Sequence, residues 1–138
     1  MITKSIPILF LLTVISAQAS EMVLDVSAIA GKSKQQVAAI IGKPSTCSSG
    51  KYGEKCLYRN SATEIVFIKG KADWITIEGL NRVPYSSGAI TALGLKATRP
   101  TFENSFTIRW ESVQGLLEVS VFPAGSVVDY AYVKVRTK

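Results

Sequence analysis

Gly31-Lys-Ser-Lys-Gln-Gln-Val-Ala-Ala-Ile-Ile-Gly-Lys-Pro44 is the most legible stretch of the chain, and its reading organises the rest. Ser33 is placed to cap a helix, and Gln36 three residues on completes a capping box. Each side chain then satisfies a backbone N–H that helix geometry leaves unpaired. Val37, Ile40 and Ile41 recur at helical spacing and predict one apolar face. Gly42 is the predicted left-handed stop, and Pro44 prevents resumption. Two turns of helix are unstable alone in water, so this one must pack on something.

The segments downstream say what that is. Residues 56–59, 64–69 and 72–78 are rich in β-branched and aromatic side chains and predict three strands, the last two joined at Gly70-Lys71. The same order then recurs. Ser86 and Ser87 precede a helical apolar stretch holding Ile90 and Leu93 and stopping at Gly94, and strands are predicted over 105–111, 116–122 and 127–136. Aligning Val37 with Ile90 gives an offset of 53, and Phe67 with Phe122 one of 55. The expectation is an α+β domain of tandem helix-plus-three-strand repeats, 31–80 and 86–136. They form one antiparallel sheet of about six strands with both helices on one face.

Residues 1–19 stand outside that domain. Lys4 supplies a positive start, 6–15 form an apolar run, and Ala17-Gln18-Ala19 fits the small-x-small rule for signal-peptide cleavage. The run is too short for a bilayer-spanning helix, which needs about 20 residues. Cleavage after Ala19 leaves 20–138 as a single domain, soluble in the periplasm or secreted. The full chain carries 16 basic and 10 acidic residues, a net charge of +6; without Lys4 it is +5. The basic residues are scattered, with no block of like charge. Cys47 and Cys56 are the only cysteines, and in an oxidising compartment the pair predicts a disulfide. On the chain-entropy model such a short ring is worth roughly 2.5–3 kcal/mol.

The chain contains no histidine. Ser-His-Asp and Cys-His nucleophile arrangements are therefore excluded, as are histidine-based zinc sites. No phosphate-cradling glycine loop is present, and no cofactor is expected. Carboxylate-only hydrolysis is left to Glu64, Glu78, Glu103, Glu111 and Glu118, each of which also reads as a surface strand residue. The prediction is a protein that binds rather than catalyses.

Strand alternation suggests where. In 127–136, Ala131, Val133 and Val135 share one face and Tyr130, Tyr132, Lys134 and Arg136 the other. In 105–111, Phe106, Ile108 and Trp110 share a face, opposite Thr107, Arg109 and Glu111. With the apolar sets against the helices, the open face presents Arg109, Glu118, Ser120, Tyr130, Tyr132, Lys134 and Arg136, extended by Trp74 and Thr76. Tyrosine, tryptophan and arginine are the residue types that dominate binding hot spots. The expected partner is another envelope or extracellular protein. The alternative is an anionic envelope polymer or lipid headgroup attracted by the positive charge, and export argues against nucleic acid.

The Gly31–Pro44 motif, followed by Cys56-Leu-Tyr58, Ile65-Val-Phe67, Gly70 and Ile75-Thr-Ile77, resembles the SmpA/OmlA family, the small lipoprotein of the outer-membrane β-barrel assembly machine. The tandem arrangement is similar to the β-lactamase-inhibitor protein family, which repeats the unit. The likeness covers 31–78 and implies a helix-plus-antiparallel-sheet fold and a protein-binding role. Unlike the assembly lipoprotein, this chain has no lipid-accepting cysteine after its apolar run, and the Cys47–Cys56 loop is not part of that pattern.

Overall fold

The computed structural model describes residue 11 and residues 19–136; the signal-peptide reading of 1–19 therefore falls almost wholly outside the described residues. The fold is one eight-stranded antiparallel sheet with short helices, an α+β arrangement. The strands are β1 (Thr46–Ser49), β2 (Glu54–Tyr58), β3 (Thr63–Ile68), β4 (Lys71–Ile77), β5 (Phe102–Glu103), β6 (Ile108–Val113), β7 (Leu116–Ala124) and β8 (Val127–Val135). Their spatial order is β1-β2-β3-β4-β8-β7-β6-β5. Each group of four is a meander of sequential neighbours, and the two meet where β4 pairs antiparallel with β8.

Helices α1 (Val26–Ile29) and α2 (Lys34–Ile41) precede the first meander, and a 3-10 helix, Ser87–Leu93, precedes the second. The capping box forms as its residues demand: the Ser33 hydroxyl accepts from the Gln36 N–H, and the Gln36 side chain accepts from Ser33 N–H. The apolar stripe is narrower than its spacing predicts. Val37 is fully buried, Ile41 partly, and Ile40 stays exposed, because a two-turn helix meets the sheet along one edge only. Gly42 ends the helix at φ 91°, ψ 171°, a glycine conformation but not the left-handed one predicted.

Two further departures correct the six-strand expectation. The loop between the cysteines is a hairpin, β1–turn–β2, with Cys47 and Cys56 directly opposite each other and disulfide-bonded. The chain before β6 adds the two-residue edge strand β5. Ser105 and Phe106 are not strand residues; Phe106 is exposed in the turn, where Asn104 Oδ1 accepts from the N–H groups of Phe106 and Thr107. That side-chain cap closes a turn in place of ladder pairing.

One sheet face is covered. Ile65, Ile75, Val133, Val119 and Trp110 lie in register across five strands, and all are buried with Val26, Ile29, Val37, Ile90 and Leu93 of the helices. Non-directional burial of this apolar layer is the main stabilising term, roughly 25 cal/mol per Å² removed from water. Alternation then forces the remaining strand residues onto the opposite face, which no helix among the described residues covers.

Candidate functional site

That uncovered face is the candidate site, and cross-strand register defines it. One row runs Ser48, Lys55, Val66, Trp74, Lys134, Glu118, Glu111. The next runs Thr46, Leu57, Glu64, Thr76, Tyr132, Ser120, Arg109, Phe102. Tyr130 and Phe122 begin a third. Trp74, Thr76, Arg109, Glu118, Tyr130, Tyr132 and Lys134 thus stand together on one face, and Arg136 follows the end of β8, exposed. Tyr130 and Tyr132 lie on the side away from the helices, and Phe122 stacks on Tyr130 with centroids 4.6 Å apart.

The two tryptophans part company. Trp110 is core, its indole N–H donating to Thr98 O at 2.8 Å. Trp74 sits half-buried on the open face, with Tyr132 edge-on at 6.4 Å. Its other neighbour is unforeseen: Tyr52, at the tip of the disulfide hairpin, folds back to lie 5.4 Å from the indole. Gly53 permits the fold-back, since a Cβ there would meet Phe67 O at 2.0 Å.

Beneath this aromatic run lies Asp73, fully buried and ion-paired with Lys134. The register shift between Val66 and Phe67 pairs Trp74 with Val66 but Ala72 with Phe67, leaving Asp73 as the extra residue of a bulge. Lys134 also donates to its neighbour's carbonyl, Val135 O, at 3.0 Å, and its ammonium stands 5.7 Å from the Trp74 ring centre. A buried carboxylate without such a partner would be strongly destabilising. The pair therefore fixes the Lys134 ammonium, and with it one edge of the Trp74 platform.

At the second meander, Arg109 Nε lies 3.6 Å from Glu118, an ion pair beyond hydrogen-bond reach, and its guanidinium caps the Phe102 ring at 5.7 Å. Glu118 and Glu111 are direct cross-strand neighbours beside a shallow concavity shared with Tyr132 and Lys134. Desolvation holds the Tyr132 phenol above its ordinary range, with Glu118 and then Asp73 adding to the effect. Cys47, Glu54 and Cys56 are the one group of three metal-ligating residue types that converges among the described residues, and both sulfurs are committed to the disulfide. Among the described residues no helix is long and apolar enough to cross a membrane.

No family model, curated protein or solved structure matches the chain.

Proposed function

We propose that this is an exported, non-catalytic protein-binding module, an inhibitor or envelope adaptor, that grips its partner with the open sheet face. One observation carries the reading: among the described residues, a whole face of an eight-stranded sheet is left without a helical cover and holds Tyr52, Trp74, Tyr132, Tyr130, Phe122 and Phe102. Trp74 and Tyr132 are held partly buried, so they lose little side-chain freedom on contact, which is how aromatic residues gain affinity. Export rests on the signal-like segment 1–19 and on the disulfide, a bond that persists in oxidising compartments.

The tandem-repeat reading belongs to the same proposal. It is supported by the mirrored strand order, each meander preceded by a helix, and by the likeness of 31–78 to the SmpA/OmlA unit. Two copies of one unit joined edge to edge yield a doubled front suited to a broad, flat partner surface.

A photo-crosslinking side chain at Tyr130 or Tyr132, with one at Gln35 of helix α2 on the opposite side as control, tests the front. We expect adducts with a discrete envelope protein from the first two positions only, and loss of that adduct on Trp74→Ala with the thermal midpoint kept within a few degrees. Adducts from Gln35 alone, or none from the front, would reject this surface.

A further inference from the structure

Charge on this molecule is gathered at one corner. The α1–α2 junction, the β1–β2 and β3–β4 turns and the last residues of β8 converge there. Gly31 N–H donates to Ala72 O and Ala72 N–H to Lys32 O, while Glu54 of β2 stands opposite Phe67 and Trp74 of β4 opposite Lys134. Lys34 is paired with Glu54 at 2.8 Å, Lys55 reaches Glu64 at 4.0 Å, and Lys134 holds Asp73. Lys32, Lys51, Lys69, Lys71 and Arg136 remain, all exposed, and no carboxylate among the described residues lies within 4.0 Å of any of them. The corner thus has eight basic groups against three acidic ones, a surplus of five. The other residues in 19–136 hold six basic against seven acidic. The positive charge of the described residues is therefore all in the corner, and Glu118 and Glu111 mark where it stops.

We infer that this corner docks the protein onto an anionic lipid surface. The five groups sit on turn tips and element ends. The hollow beside them, lined by Lys51, Tyr52, Lys55, Glu64 and Trp74, includes a carboxylate and offers one buried unpaired donor, the neutral Trp74 indole N–H, too little to hold a small anion. Separate flexible ammonium groups suit a flat array of mobile headgroups, which can rearrange to meet them; each contributes independently and is screened by salt. Tyr52 stands among them, 58 % exposed, with the Lys51 ammonium 5.4 Å from its ring centre. A tyrosine beside lysine is the side-chain pair that settles at a headgroup boundary, the ring in the apolar layer and the charge in water. The docking shares Tyr52, Lys134 and Arg136 with the open face but is carried mainly by Lys32, Lys51, Lys69 and Lys71 on the turns, and stands whether or not the front binds a protein.

The test is sedimentation of the protein 20–138 with vesicles of neutral phosphatidylcholine, alone or mixed with phosphatidylglycerol. Binding should require the anionic lipid and fall at least about tenfold between 50 and 300 mM salt. The double variant Lys51→Glu/Lys71→Glu should lose at least about tenfold in partition, as should Lys32→Gln/Arg136→Gln, which alters different elements. Arg82→Glu/Lys43→Glu, the same charge change outside the corner, should lose much less. Equal binding to neutral vesicles, or equal loss in the Arg82/Lys43 control, overturns the inference. So does soluble polyphosphate bound more tightly than the vesicles, which would assign the corner to a polymer.

Discussion

Asp73 and Lys134 are 61 residues apart in sequence and meet beneath the open face. A buried pair of this kind contributes little over an apolar substitute, but removing one member is costly because the other charge is stranded. Lys134→Met should therefore destabilise the fold by about 3 kcal/mol in chemical denaturation, and Asp73→Ala added to it should recover part of the loss. Two additive losses would show that the residues act separately. None of this was readable beforehand. Strict alternation puts Ala72 on the same side as Trp74, and only the bulge at Val66/Phe67 sends Ala72 into the core and Asp73 under the sheet. Lys134, by contrast, was legible, because Ala131, Val133 and Val135 alternate cleanly around it.

Among the elements, the disulfide hairpin is the most dependent on a single bond. Outer strand β1 is exposed at every position and pairs only with β2, so little burial holds it. Reduction should lower stability by roughly 2.5–3 kcal/mol, about 10 °C in midpoint, and move the Trp74 emission as Tyr52 leaves the indole. An unchanged emission would mean that the hairpin tip stays in place without its staple. Helix α2 was legible to the residue because capping is local chemistry: Ser33 and Gln36 need only each other. Strands β1 and β5 were not, since Thr46-Cys-Ser-Ser49 and Phe102-Glu103 have no apolar alternation and owe their extension to the neighbour they pair with. The place of Tyr52 was hidden for a related reason, because a turn residue's direction is set by what the turn leans on.

For the molecule as a whole, high pH is the telling variable. Burial raises the phenol of Tyr58, with Glu54 adding to it, and burial raises that of Tyr132 as well. The folded state therefore holds the proton to higher pH than the unfolded chain does, and the associated stability is complete below the ordinary phenol value near 10 and lost as pH rises through the folded values. Denaturation midpoints should fall from about pH 10 upward. Tyr58→Phe should flatten that fall, at a cost within about 1 kcal/mol at pH 7 because the Tyr58 hydroxyl is buried with no hydrogen-bond partner in the protein. An identical alkaline profile in Tyr58→Phe would assign the loss to other groups, Tyr132 first. The general architecture, helix-backed antiparallel sheet with a tyrosine-bearing front, was legible from periodicity. The eight-strand count and the clustering of charge were not, because both arise only when distant turns are brought side by side.

The interior position of β8 has a consequence for how the molecule comes into being. It is the last strand in chain order, yet it lies between β4 and β7 and supplies the whole seam. A nascent or translocating chain that has not yet delivered Val127–Val135 holds only two unjoined fragments, each with a bare edge. Assembly must wait for that segment to arrive and insert, so a growing polypeptide stays loose until nearly its full described length is free to fold.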